Sequence, residues 1–136
     1  MKVMEYSRLA PAEMAFLADP ENRELAGHWR LARASVSAMV GFCSWNYPRP
    51  LYYEGPEQEW ADAAKHLEAL RGTPVYERLA DNIEVGREIW LEGVAHGHTD
   101  HLHEIADAFL DAARDDEMYL HYFPHEPPPR PQYGAR

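Results

Sequence analysis

An apolar stripe across residues 25–43 constrains the fold more than any other feature of this sequence. Its members alternate four and three positions apart, and they are Leu25, Trp29, Ala32, Val36, Met39 and Cys43. Because an α-helix turns once every 3.6 residues, this spacing places all six on one face of a single long helix. The stripe therefore predicts a helix of about six turns with one buried face.

The residues around this stripe predict how the helix begins, ends and packs. Asp19-Pro20-Glu21 is typical of a helix start, with a capping carboxylate, a proline in the first turn and an early acid. Pro48-Arg49-Pro50 predicts its end, before an aromatic connector over 51–55. A neighbouring face is also apolar, through Leu31, Ala38 and Phe42. We therefore expect a central helix that is packed on two sides.

Further helical patterns follow along the chain. A short first helix is predicted over 11–18, a third helix from Pro56 to a C-cap at Gly72, and a fourth from Thr73-Pro74. The fourth carries an apolar face formed by Leu79, Ile83, Gly86, Trp90 and Val94. The apolar face of 99–113 is rotated from it by about 100°, so we predict a break at Gly97, with Thr99 or Asp100 as the next N-cap.

The C-terminal part shows no comparable helical pattern. Asp115-Asp116-Glu117 predicts a solvated acidic turn, and residues 118–123 predict a final turn or an extended segment. Five of the thirteen residues in 124–136 are proline, which indicates an irregular tail. The predicted architecture is all-α: a four-helix-bundle-like single domain over 1–123, followed by a Pro-rich tail over 124–136.

Charge and cysteine content narrow the classes of partner. Twenty-three acidic against thirteen basic residues give a net charge of −10, and the chain contains no run of Lys or Arg. That field disfavours nucleic acid and anionic membranes, and it suits a basic protein surface. No apolar stretch reaches the roughly 20 residues that span a bilayer. Cys43 is the only cysteine, so no intrachain disulfide forms, and we expect a cytoplasmic location.

The most unusual chemical feature is a cluster of histidines and carboxylates. Four of the eight histidines lie within 96–103. Imidazole and carboxylate together suit zinc, iron or manganese. The predicted metal ligands are His96, His98, Asp100, His101 and His103. Two acid–histidine pairs at one-turn spacing, Glu24 with His28 and Asp62 with His66, are candidate remote ligands.

Part of this cluster has a familiar pattern. The residues from His96 to His101 resemble the H-x-H-x-D-H signature of the metallo-β-lactamase superfamily, where the motif follows a strand and supplies ligands to paired metals. Here it follows a helical pattern, only His121 and His125 remain downstream, and that family's αββα sandwich is longer than 136 residues. We therefore do not assign the chain to that superfamily.

Helical geometry favours a simpler interpretation of the same residues. If 99–113 is helical, Asp100, His103 and Asp107 lie opposite the apolar face and should face solvent. The cluster would then be a polar surface that is rich in histidine, whereas a turn at Gly97 would bring His96, His98 and His101 together. Both interpretations stay open at this point.

Three functional hypotheses follow. The first is a non-enzymatic interaction or accessory protein with a protein partner, such as a subunit, an inhibitor or an immunity-type binder, whose oligomeric state the sequence does not define. The second is a metal-dependent protein or enzyme that uses the 96–103 cluster to activate water or dioxygen. The third is a binder of a flat apolar ligand, with a pocket formed by His28, Trp29, Trp60 and Trp90. One shared aromatic core is the favoured explanation of the three tryptophans.

Overall fold

The described chain is all-α, as predicted. A computed structural model describes residues 9–44 and 56–122, and these ranges contain helices and no strand. The elements are α1 (Pro11–Ala18), a 3₁₀ turn (Pro20–Asn22), α2 (Arg23–Gly41), α3 (Pro56–Glu68), α4 (Tyr76–His96) and α5 (Asp100–Tyr122). The predicted aromatic connector and the Pro-rich tail lie outside the described residues. No helix in the described ranges is long and apolar enough to cross a membrane.

Helix α2 is the centre of the fold, because it contacts α1, α3, α4 and α5. The predicted stripe is confirmed: Trp29, Ala32, Val36, Met39 and Cys43 are fully buried. The predicted second face is buried only at its end: Phe42 packs against the core, whereas Leu31 is 54% exposed and Ala38 is exposed. The four helices that contact α2 leave the side bearing Leu31 in solvent.

The start of α2 also differs from the prediction. The Asp19 carboxylate accepts a hydrogen bond from the backbone N–H of Glu21, at 2.9 Å, and closes a separate 3₁₀ turn. Asn22 then leaves helical geometry, with φ −101° and ψ 20°, and α2 begins at Arg23. The capping signal was real, but it starts the short turn that connects α1 to α2.

Two apolar clusters make up the core. One joins the C-terminal half of α2 to α3, α4 and the first half of α5, and includes Val36, Met39, Trp60, Trp90 and Phe109. The other joins α1 and the N-terminal half of α2 to the end of α5, and includes Leu17, Trp29, Leu70, Leu79 and Leu120. Helices α2, α4 and α5 contribute buried residues to both clusters. Helix α3 contributes Trp60 to the first cluster, and Leu70, just after α3, belongs to the second.

Glycine permits the close approach of α2 and α4. A Cβ atom at Gly86 would overlap the Cγ1 atom of Val36 and would lie 3.4 Å from the Cγ2 atom of Val40. The predicted face of α4 is otherwise correct at Leu79 and Trp90, but Val94 is 59% exposed.

The predicted break between the last two helices is confirmed. Gly97 has φ +77°, a conformation that favours glycine, and α4 ends at His96. The hydroxyl of Thr99 accepts the backbone N–H of Leu102 at 3.1 Å and caps the start of α5.

Helix α5 is longer than predicted. It runs through Asp115-Asp116-Glu117 and reaches Tyr122, so the predicted acidic turn is wrong. Asp116 faces the interior and is 3% exposed. Its burial is tied to Arg33 of α2, as described below.

Candidate functional site

A polar cluster lies where α2 ends beside the turn between α4 and α5. The rings of His98 and His103 meet edge to face, with centroids 5.0 Å apart. One turn further along α5, Asp107 accepts a hydrogen bond of 2.5 Å from the hydroxyl of Ser44. The cluster thus joins two imidazoles, a carboxylate and a hydroxyl from three segments of the chain.

Burial corrects the expectation that His103 faces solvent. His103 is 7% exposed, and Asp107 is half-buried. The helical angle alone places His103 away from the apolar face, but the segment 97–99 turns back so that His98 contacts the ring of His103. This contact with the turn is one that helical periodicity does not describe.

The electrostatics of the cluster disfavour extra positive charge. Burial, and secondly the neighbouring His103, lower the pKa of His98 below its ordinary value. The Nε2 atom of His98 is buried and has no hydrogen-bond partner among the described residues. A neutral imidazole therefore occupies this position at neutral pH.

The other predicted metal ligands point elsewhere. His96, Asp100 and His101 are exposed, and the Nε2 atom of His96 lies 3.7 Å from a carboxylate oxygen of Glu92. Within residues 9–44 and 56–122, no three His, Cys, Asp or Glu side chains are placed to hold an ion. Use of the 96–103 cluster by zinc, iron or manganese stays a prediction.

A second histidine pair links α2 to α3. The Nδ1 atoms of His28 and His66 are 2.9 Å apart, and the ring centroids are separated by 5.2 Å. Both side chains are half-buried. Each histidine is predictable beside its own acid, Glu24 or Asp62. The contact between the two helices is not, because nothing in the spacing pairs these positions.

The structure separates the tryptophans of the predicted ligand pocket. Trp29 belongs to the cluster containing Leu17, whereas Trp60 and Trp90 belong to the cluster containing Phe109. The alternative of one shared aromatic core is therefore wrong. An open pocket of about 240 Å³ lies between α1, α2 and α5, where Arg23 and Arg30 line it and no tryptophan does.

A buried ion pair was missed by the sequence analysis. Arg33 Nη1 lies 4.0 Å from Asp116 Oδ2, and both side chains are at most 4% exposed. Arg33 also donates to the carbonyl oxygen of Ala113 at 2.9 Å, and its guanidinium lies 4.5 Å from the ring centre of Trp29. One sequence feature could have indicated this pair: Arg33 follows the core residue Trp29 by one helical turn. An arginine on a buried face needs a buried partner for its charge.

The outer face of α4 carries a series of carboxylates. Glu77, Asp81, Glu84 and Glu88 follow one another at intervals of four, three and four residues, and all but the half-buried Glu88 are exposed. None of the four forms an ion pair with a residue in the described part of the chain. We call these four residues the α4 acidic stripe.

Two large apolar side chains lie next to this stripe. Leu91 is 54% exposed and Val94 is 59% exposed, near the C-terminal end of the same helix. The outer surface of α4 therefore presents negative charge along most of its length and an apolar end.

Comparison of the chain with protein-family models, with curated proteins and with solved structures finds no match. Functional inference consequently depends on the residues of this chain alone.

Proposed function

We propose that this protein is a non-enzymatic interaction protein that binds a basic, partly apolar surface of another protein through the outer face of α4. The α4 acidic stripe carries this proposal, because its four carboxylates are solvent-facing or half-buried and have no ion-pair partner among the described residues. A partner that supplies Lys or Arg would complete them.

Stability does not account for this arrangement. Like charges three or four positions apart on a helix destabilise it by about 0.2–0.5 kcal/mol for each pair. Asp81 stands in such a relation to both Glu77 and Glu84, and Glu84 to Glu88. Arg78 and Arg87, each three positions from Asp81 or Glu84, offset part of this repulsion. A positively charged partner would offset the remainder on binding.

The exposed apolar pair defines the rest of the partner's chemistry. Leu91 and Val94 would gain burial against an apolar side chain, while the acidic stripe orients the encounter through long-range attraction. The occupant we favour is a protein segment that bears basic residues along its length and an apolar group near one end.

The fold suits a rigid binding face. In each of α2, α4 and α5, one half packs in the first core cluster and the other half in the second, and α3 packs in the first. This shared core supports a four-helix-bundle arrangement, to which α1 adds residues of the second cluster. The close contact of Gly86 with Val36 holds the inner face of α4 against α2. The outer face would then be presented without rearrangement, which lowers the entropic cost of binding.

Charge reversal tests the proposal. The variant Glu84→Lys/Glu88→Lys is used as bait and compared with wild type and with a control variant, Glu57→Lys/Glu104→Lys. The control changes the net charge by the same amount, but its substitutions lie on α3 and α5. Captured proteins from an extract of the source cells are quantified at low and at raised salt. We expect a salt-sensitive partner that wild type and the control retain, and that the α4 variant binds at least about tenfold less.

Two results contradict the proposal. One is equal retention of every captured protein by the α4 variant and the control. The other is that the wild-type bait captures no specific partner under any of these conditions.

A further inference from the structure

Two helices of this protein each carry an acid followed one turn later by a histidine, and the two histidines meet. Glu24 precedes His28 on α2, and Asp62 precedes His66 on α3. We propose that His28 and His66 form a binding site for a divalent transition-metal ion of the zinc type, which Glu24 and Asp62 complete. This site is independent of the α4 acidic stripe and goes beyond the function proposed above.

The geometry of the two imidazoles comes close to that of a metal site. Their Nδ1 atoms are 2.9 Å apart. Two nitrogen ligands at about 2.0–2.1 Å from a tetrahedral zinc ion are separated by about 3.3 Å. The ion would therefore enter after an opening of about 0.4 Å between the two nitrogen atoms and a turn of each ring that points its Nδ1 lone pair at the ion instead of at the other ring.

The other histidine pair lacks this feature. His98 and His103 meet through the edge of one ring and the face of the other, at an interplanar angle of 67°. A ring face offers no lone pair to a metal. Direct approach of two nitrogen atoms distinguishes the His28–His66 pair as the better candidate.

Carboxylates are within reach of the pair after a side-chain rotation. No three groups in the described ranges are already placed to hold an ion together, so at least one acid must turn. Side chains four positions apart on a helix lie about 5–6 Å from each other at Cβ. Glu24 is exposed, and Asp62 is half-buried and accepts a hydrogen bond of 2.9 Å from the exposed Gln58. Both acids can therefore rotate at small cost.

The ligand chemistry selects the ion. Two imidazoles and one or two carboxylates suit zinc, nickel or copper, whereas magnesium and calcium prefer sites made of oxygen alone. An ion at this position would tie α2 to α3, the two helices on either side of residues 45–55. Since the ion would bind the folded chain, it would raise the unfolding temperature.

The test is a titration of the untagged, metal-free protein with Zn²⁺ against a chelating dye. We expect saturation at one ion per chain and a higher unfolding temperature in its presence. His28→Ala and His66→Ala should each weaken binding at least about tenfold, and Asp62→Asn should weaken it less. His121→Ala, which changes an exposed histidine outside both candidate ligand sets, should bind like wild type.

A second set of variants distinguishes a metal site from a purely structural role of the histidine pair. His28→Asn and His66→Asn keep a hydrogen-bonding side chain, and circular dichroism establishes that they fold. Folded variants that no longer gain thermal stability from Zn²⁺ support the site. Absence of saturable Zn²⁺ binding by wild type overturns the site, and so does wild-type affinity in the combined variant His28→Asn/His66→Asn. Loss of affinity in His98→Asn and His103→Asn, with wild-type affinity in the His28 and His66 variants, overturns it as well.

Discussion

The buried and the exposed acidic residues of this protein differ in how they are paired. Asp116, in the interior, lies beside Arg33, and Glu13, which is 7% exposed, lies 3.2 Å from Arg78. The α4 acidic stripe forms no ion pair among the described residues, although the exposed Arg87 follows Glu84 by three positions. Two opposite arrangements of the same functional group therefore occur in one small protein.

Solvation explains the first half of this difference. A carboxylate that leaves water loses several kcal/mol of hydration, about the order of a small domain's whole stability, so it persists only beside a partner. A carboxylate in water needs none. Folding therefore requires an ion-pair partner for a buried carboxylate. It requires none for the carboxylates of the α4 acidic stripe, which remain available to a binding partner.

The largest expected effect comes from breaking the buried pair. Asp116→Asn leaves the guanidinium of Arg33 without its counter-charge, and we expect a loss of about 3 kcal/mol in the free energy of unfolding, measured in urea. The matched control is Glu117→Gln, at the position after Asp116, which breaks the partly exposed ion pair with Arg30 at 3.7 Å. This variant should lose less than about 1 kcal/mol of unfolding free energy. Equal losses in the two variants would remove the distinction between interior and surface charge.

The next effect concerns the two faces of α4. Gly86→Ala adds a methyl group that overlaps Val36, and we expect a net loss of about 1–3 kcal/mol, despite the better helix propensity of alanine. Gly27→Ala is the control, since nothing lies within 4 Å of its added Cβ, and it should gain about 0.5–1 kcal/mol. A stabilising Gly86→Ala would show that the inner face of α4 is loosely packed.

A smaller effect depends on pH. Burial lowers the pKa of His98 below the ordinary 6.5, so below that pH the unfolded chain binds more protons than the folded chain. Stability should fall as the pH drops from about 6.5 through the lowered value, and His98→Asn should remove this part of the pH dependence. Urea unfolding across this range measures the effect, and an NMR titration that placed the pKa of His98 at or above 6.5 would contradict it.

The smallest effect has the opposite sign. Glu88→Gln removes two like-charge neighbours, Glu84 and Glu92, and no Lys or Arg stands three or four positions from it. The variant should stabilise the protein by a few tenths of a kcal/mol at low salt. The gain should fade at about 1 M salt, where the screening length falls to about 3 Å. A loss of stability in this variant would show that Glu88 has a stabilising partner within the chain.

Regular helical features were predictable from local sequence. The 4–3 spacing from Leu25 to Cys43 defines α2 because one face of a long helix repeats at that period. The 100° change of phase around Gly97 located the break before α5, since one straight helix cannot bury two faces against one partner.

Features that depend on distant residues were missed for a physical reason. The burial of Asp116 follows from Arg33, which is 83 positions earlier in the chain (116 − 33), and the His28–His66 contact joins residues 38 apart. His103 is buried and contacts His98 of the turn that precedes α5. Such pairings arise from tertiary packing, and helical periodicity contains no information about them.

The most direct measurement is an NMR titration of the ¹⁵N-labelled protein with the partner that capture identifies. We predict that the amide signals of α4 between Glu77 and Val94 shift most, that raised salt weakens the interaction, and that Glu84→Lys/Glu88→Lys abolishes the shifts while Glu57→Lys/Glu104→Lys preserves them. Shifts confined to another helix, with α4 unchanged, would contradict the assignment of this face as the binding surface.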